Sequence, residues 1–413
     1  MRILHVVHQF LPEYVGGTEV YVADLASRLR QRGHDVALFT GSGKAGERCW
    51  DGIPLRAVPG GLRRGPGANF LATFGSREAE AAFQDQLGGL KPDIIHFHHL
   101  LGLSTRLVAL ARNAGIPTCF TLHDYWFMCP KSQLIDHRGL PCLGPRAGVN
   151  CARCGGQRLN RPAAEPFAPL AAPLFILRER RVKRAVASAD LVLAPSSFVV
   201  EMALAGGIPG EKLRRVCFGV DAASGVAWRP RPAGAPLRVT YLGGIDWSKG
   251  VHLLLAAAQR AGPVAAVRVY GDLAAQPDYA ASLRAAVLWS PAQLMGQVSR
   301  TEVPAVLADT DLLAVPSLWY ENSPMVIAEA KAAGIPVVAS DIGALPEQVR
   351  HGETGLLFPP GDVEALAEAM RRVAGDPVLL ERLREGVRAQ AHATRTQHVD
   401  EMEAIYGEVA GLR

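Results

Sequence analysis

Short runs of β-branched and apolar residues alternate with amphipathic stretches along nearly the whole chain. "ILHVV" (Ile3–Val7) precedes "TEVYVADLASRLRQRG", whose apolar residues recur at three- and four-residue spacing, and "DVALFT" follows; "DIIHF", "STRLVALARNAG" and "TCFTL" later repeat the order. A short apolar run followed by a period of about 3.6 predicts strand, then helix. The helices close on Gly33 and Gly115, which can take the left-handed cap, and a strand follows within a few residues. Strands joined in this way run parallel. After a bridge of linker composition, "GVDAASGVAWRPRPAGAP", the rhythm restarts with "LRVTYLGG", "VHLLLAAAQRAG", "AAVRVYGD", "DLLAVPS" and "GLLFPPGDVEALAEAMRRVAGD". The pattern predicts an α/β protein of two Rossmann-like domains, residues 1–220 and 221–393, facing each other across a cleft. The final helix, about 394–413, could pack on either domain, including back on the first.

A chain of 413 residues fits two domains better than one core. With 49% hydrophobic and 20% charged residues it has the composition of an ordered globular protein, and a formal charge of +5 is too mild to imply nucleic acid. The start, "MRILHVVHQF", is too short in apolar residues for a signal peptide and reads as a strand. "PFAPLAAPLFIL" is too short and proline-rich for a membrane span. These features predict a cytoplasmic protein.

Within "YENSPMVIAEAKAAGIPVV", Glu321 stands in a loop after the strand "DLLAVPS", and Glu329 inside the helix that follows. Ser323 is an apt N-cap and Pro324 suits the first turn, so the helix is expected to run to about Ala333 and stop at Gly334. Its leading amides, from Asn322 to Val326, would form an anion site between two carboxylates. A nucleotide-sugar offers the matching order of sugar hydroxyls, diphosphate and ribose hydroxyls. An exposed helix position for Glu329 and a plain loop charge for Glu321 is the alternative.

The stretch resembles the E-x7-E signature of the retaining glycosyltransferases of the GT-B fold, the sucrose-synthase and mannosyltransferase-like family 4. The likeness covers nearly the whole chain: "LPEYVGGTEVYVADLASRLRQRGHDV", "TLHDYW", "YLGGIDWSKGVHLLL" and "ENSPMVIAEAKAAGIPVVASDIGALPEQVRHGETGLLFPPGD" are each similar to a family segment. The resemblance implies that Glu321 binds the donor sugar beside the reacting carbon and Glu329 the ribose. It implies that Asn322, Ser323, Pro324 and Met325 border sugar and phosphates and that Lys249 neutralises the diphosphate. Gly16, Gly17, Gly243, Gly244 and Gly271 would let backbone approach the donor, His123 would line the sugar pocket, and His98 and Asp124 would lie on the acceptor side. The donor would be a UDP- or GDP-sugar, the acceptor a hydroxyl, and no catalytic metal would be needed. One position departs: members commonly carry arginine where this chain has Gly244, which leaves the leaving group to Lys249 or to Arg300 from elsewhere. A phosphorylase, a nucleotide-sugar epimerase and a non-catalytic nucleotide-sugar-binding subunit are the competing readings.

Four of the seven cysteines, Cys129, Cys142, Cys151 and Cys154, fall in a Gly/Pro-rich insertion after His123 and Asp124. Cys151-x2-Cys154 has metal-knuckle spacing, so a structural zinc is expected, with an iron–sulfur cluster or free thiols as alternatives. His96, His98 and His99 could hold a metal but read more simply as pocket or core residues. "DTD" at Asp309–Asp311 imitates a metal clamp and reads as a turn. The basic segment 178–184 predicts a helix with an arginine-rich face, either solvated or docked peripherally on anionic lipid at the inner face of a membrane.

Overall fold

In the computed structural model, residues 1–61, 65–159, 166–221, 228–232 and 234–411 are described; part of the predicted linker, 222–227 and 233, lies outside them. The chain divides into one unit of Met1–Cys217 with Gln397–Arg413 and a second of Phe218–Thr396.

The first unit is built on β1 (Arg2–Val7), β2 (Asp35–Ser42), β3 (Gly46–Trp50), β4 (Ile53–Pro59), β5 (Ile94–Phe97), β6 (Thr118–Thr121), β7 (Leu191–Ala194) and β8 (Leu213–Arg215). They form one sheet in the order β3-β4-β2-β1-β5-β6-β7-β8. Five of the six residues of β1 and all four of β5 are buried, as expected of parallel strands covered on both faces. The parallel pattern fails only at one edge. There β3 pairs antiparallel with β4 through a turn at Asp51–Gly52, both left-handed at φ 47° and 75°. The sequence carries no sign of this hairpin, because "GERCW" is an exposed edge strand with no apolar side to give it a period.

The second unit carries β9 (Leu237–Leu242), β10 (Ala265–Tyr270), β11 (Ala292–Gly296), β12 (Leu312–Val315), β13 (Val337–Ser340) and β14 (Gly355–Phe358). Their order is β11-β10-β9-β12-β13-β14, with every neighbouring pair parallel. Side chains of β12 alternate between two cores: Leu312 and Ala314 join Val239 and Leu254 on one face, Leu313 and Val315 join Ile327 and Val337 on the other. The chain grows outward from β9 in one direction, then returns to its other side at β12. The loops after β9 and β12 therefore leave the sheet side by side at the carboxyl ends of their strands, where doubly wound sheets bind ligands.

The last helix, Arg395–Val409, packs on the first unit. Tyr406 is fully buried, with its hydroxyl 2.6 Å from His96 Nδ1, and His398 Nε2 lies 2.9 Å from the Tyr21 hydroxyl. Among the described residues no helix is long and apolar enough to cross a membrane; the helix Ala168–Ala187 runs through Pro173, where the sequence suggested a break. Replacing Tyr406 by Phe removes the partner of His96 Nδ1 without changing packing volume. A loss of about 1–2 kcal/mol is expected in denaturant unfolding of the first unit.

Candidate active site

The loop after β9 ends in a single helical turn, Trp247–Lys249, held by Asp246, whose carboxylate accepts the Ser248 N–H at 2.8 Å. Gly250 follows at φ 71°, and a β-carbon there would fall 1.9 Å from the carbonyl oxygen of Pro316. Only glycine lets the β9 and β12 loops touch so closely. That contact carries Lys249 to Glu321, with Nζ 2.8 Å from Oε1. The same oxygen accepts the Ser317 hydroxyl at 2.6 Å and the Trp319 indole N–H at 2.8 Å. Glu321 is 3% exposed, and its Oε2 has no partner among the described residues. A buried carboxylate thus keeps one oxygen fixed by three donors and the other available.

Asn322 is also buried, and neither polar atom of its amide has a partner among the described residues. The backbone N–H groups of Asn322, Ser323, Met325 and Val326 likewise take no acceptor among them. The helix spans Met325–Ala332, with Pro324 as N-cap (φ −65°, ψ 115°) and no side-chain cap. Ser323 is therefore not the cap expected from the sequence. Proline's fixed φ with an extended ψ starts the helix one residue later, and its carbonyl accepts the Ile327 N–H at 3.0 Å. Uncapped, the helix start leaves its donors to a ligand.

Glu329 faces inward, with 11% of its side chain exposed and Oε1 2.8 Å from Arg300 Nη1. Burial pushes its pKa above the ordinary value, against the lowering pull of Arg300 and Arg395. Arg300 is thus engaged by the second carboxylate of the motif rather than held at the position of Gly244. Of the loop glycines, Gly244 accepts the Tyr241 hydroxyl on its carbonyl at 2.6 Å and has open space where a side chain would stand. Gly243 donates its N–H to Tyr270 at 3.1 Å, and Gly271 has a packing reason, since a β-carbon would meet the Gly243 carbonyl at 2.3 Å.

Three contributors escape the sequence reading. Ser317 and Trp319 look like loop filler, yet both hold Glu321. Gly343, after β13, sits at φ 61° with its missing β-carbon 2.8 Å from the Glu321 amide nitrogen, and the Ala344 N–H donates to the Glu321 carbonyl at 2.9 Å. A glycine after a strand is the only signal, and without the fold it has no addressee.

The first unit gathers the remaining residues. His123, after β6, meets His98 (Nε2 to Nδ1, 3.1 Å), and His98 Nε2 lies 3.0 Å from His5 Nδ1. Burial depresses the pKa of all three, to about 3 for His5 and His123, so the rings are neutral. His99 Nε2 lies 3.0 Å from Asp124 Oδ2. Burial raises the Asp124 pKa, but His99, by charge and hydrogen bond, and the Trp126 N–H leave it below its ordinary value. His96 and His98 are wholly buried, His99 nearly so. Gly16 and Gly17 begin the helix Gly17–Gln31; the Gly16 amide donates to the buried Glu19 carboxylate, while Gly17 has open space on its β-carbon side.

The "DTD" segment is an ion-pair centre: Arg238 Nη1 and Arg268 Nη1 each lie 2.6 Å from Asp309, and Arg238 Nη2 2.7 Å from Asp311. Within the basic segment Arg180 and Arg184, one helical turn apart, are exposed on one face, whereas Arg178 is buried at 1% exposure. The Arg178 guanidinium lies over the Trp126 ring, 5.1 Å from its centre.

Two α/β units with parallel sheets give the architecture of the GT-B fold, and the matching family model makes the chain a glycosyltransferase of that type. The chain matches the family model for glycosyltransferase family 4 over residues 15–224 and that for glycosyl transferases group 1 over residues 229–390, and it belongs to family 4. It is 26% identical over 386 residues to a glycogen synthase of Mycobacterium tuberculosis, covering 92% of this chain and 88% of that one. It is 31% identical over 402 residues to the D-inositol 3-phosphate glycosyltransferase of Nocardia farcinica, covering 92% and 81%. The Anabaena HepE protein, solved in complex with UDP-glucose, shares the fold at a TM-score of 0.67 and 18% identity, covering 99% of this chain and 100% of that one.

A Gly343→Ala substitution would force a left-handed alanine against the Glu321 backbone. Turnover should fall on the order of 10- to 100-fold, measured as steady-state sugar transfer, with the far-ultraviolet circular dichroism spectrum unchanged.

Proposed function

We propose that this glycosyltransferase takes its sugar from a nucleotide-diphosphate sugar, with a UDP- or GDP-linked hexose as the donor class, and transfers it to a hydroxyl acceptor with retention at the anomeric carbon. The observation that carries the reading is the buried Glu321 with one oxygen held by Lys249, Ser317 and Trp319, standing directly before an uncapped helix start. In this reading the free Oε2 receives donor-sugar hydroxyls beside the reacting carbon. The unbonded amides of Asn322 to Val326, with the Asn322 side chain, take the sugar and phosphates. Glu329, steadied by Arg300, accepts the two ribose hydroxyls. The UDP-glucose complex of HepE supports the donor class.

The chemistry follows from what these groups stabilise. As the bond from the anomeric carbon to the diphosphate oxygen breaks, negative charge collects on the phosphate, where Lys249 and the helix start can meet it. The acceptor oxygen bonds to the same carbon on the face being vacated, and its proton passes to the departing phosphate oxygen. His123 and Asp124, in the first unit, serve the sugar pocket and the acceptor, whereas His98, wholly buried with both ring nitrogens bonded to His5 and His123, can only orient His123 and is not on the acceptor side as the resemblance implied.

A thermal-shift screen over nucleoside diphosphates and nucleotide-sugars identifies the donor. With that donor, Glu321→Gln should lower transfer on the order of 100- to 1,000-fold while leaving nucleoside-diphosphate affinity nearly intact. Glu329→Ala should weaken that affinity itself about tenfold, as titration calorimetry would read. Full activity in both variants would refute the assignment. Product carrying the opposite anomeric configuration, read from its proton NMR coupling, would refute retention, and phosphate-dependent release of sugar-1-phosphate would indicate a phosphorylase instead.

A further inference from the structure

After β6, the segment from Cys129 to Gly148 has little regular structure to order it. From Cys129 to Gly148 there is one isolated bridge, Ile135 to Pro141, and three non-glycine residues, Ser132, Leu134 and Ala147, hold left-handed conformations at φ 67°, 52° and 49°. Such conformations persist only where the surroundings impose them. Yet Leu134 and Ile135 are buried, and the segment is folded in on itself.

Its three turns converge on cysteines. The Cys129 sulfur accepts backbone N–H groups from Lys131 and Leu134. The carbonyl of Leu134 accepts the Cys142 N–H at 2.7 Å, so these two cysteines meet across one residue. Asn150 then ties the next helix, Val149–Arg158, to the same place: its side-chain amide donates to the Cys142 sulfur at 3.4 Å and to the Gly144 carbonyl at 3.0 Å. That helix carries Cys151 and Cys154 three residues apart, both buried. Burial raises the Cys151 thiol pKa first, with further increments from Cys129, Cys154 and Cys142, which puts all four sulfurs within electrostatic reach of one another. Amides donated to a sulfur and a pair of cysteines one helical turn apart are the surroundings a thiolate ligand needs.

A second observation calls for negative charge at this place. The Arg178 guanidinium is 1% exposed, and neither Nη1 nor Nη2 has a hydrogen-bond partner among the described residues. Burial lowers its pKa, and the groups that oppose this are, in order, Cys129, Cys151, Asp124 and Glu179. Lys131 stands near Cys154 as well. Buried cations without anionic partners are costly. A dication bound by four thiolates leaves a net double negative charge, which would match Arg178 and Lys131 together.

We propose that Cys129, Cys142, Cys151 and Cys154 ligate a structural zinc ion that fixes the insertion. Zinc takes four sulfurs tetrahedrally and needs no open position in such a site. No three of these sulfurs lie within 4.8 Å of one another. Among the described residues, three ligand atoms within 4.8 Å of one another occur only at His5, His96 and His98. There both nitrogens of His96 and of His98 already have hydrogen-bond partners, so that set is a packed core. Closing the thiols on an ion requires rotation about their side-chain bonds and release of their protons.

The test uses full-length protein made without a histidine tag. Elemental analysis should give about one zinc per chain, displaced by a mercurial thiol reagent. Exchange with cobalt should produce the visible absorption of a tetrahedral cobalt–thiolate site. The double substitution Cys151→Ser with Cys154→Ser should bring zinc to near zero, whereas Cys49→Ser, at an exposed cysteine on β3, should leave it unchanged. If the double variant fails to fold, the cobalt spectrum of the unaltered protein still decides. The proposal is overturned by metal-free protein whose thiols all titrate, by iron with labile sulfide, by a disulfide among the four, or by zinc that survives the double substitution.

Discussion

The second unit is organised around the placement of one carboxylate out of water. Glu321 is buried at the end of a loop with an ammonium, a hydroxyl and an indole N–H all directed at a single oxygen. An unpaired carboxylate there would cost several kcal/mol. The arrangement is affordable because β9 and β12 are neighbours although far apart in sequence, so Lys249 and Glu321 leave adjacent strand ends. Two glycines close the packing: Gly250 admits the Pro316 carbonyl and Gly343 admits the Glu321 backbone. Fold, charge and steric requirement act on the same few residues.

Much of this was legible before any coordinates. The parallel strands announced themselves because each is buried on both faces and so reads as an uninterrupted apolar run. The motif glutamates were visible because carboxylates in an apolar stretch need a reason. What escaped lacked a local signal. The edge strand β3 has no buried side. The helix starts one residue later than serine's cap preference predicts, because the backbone of Pro324 prevails. Gly343 meets Glu321 only after the chain has crossed the sheet to β13, whereas Ser317 and Trp319 stand four and two residues before Glu321 in its own loop, where only the loop's fold turns them onto one carboxylate oxygen.

Arg178 shows the opposite failure. In a run of arginines and lysines it looks like one more solvated charge, and helical periodicity alone would allow either orientation. Its neighbours differ from those of Arg180 and Arg184 because the cysteine insertion folds over that side of the helix. Composition reports how much charge a segment has, and packing decides which of it must be answered from within.

The three imidazoles His5, His98 and His123 form a line whose polarity has a definite sense. A neutral ring offers one proton and one lone pair, so the middle ring must give to one neighbour and receive from the other. At the core end His5 Nε2 faces nothing that hydrogen-bonds among the described residues. A bare lone pair is cheaper to leave there than a stranded proton. Protons therefore point outward along the row, and the nitrogen of His123 nearest His98 is an acceptor, which puts its hydrogen on the far side of the ring. A residue in the floor of the first sheet thereby dictates which edge of a distant imidazole can donate.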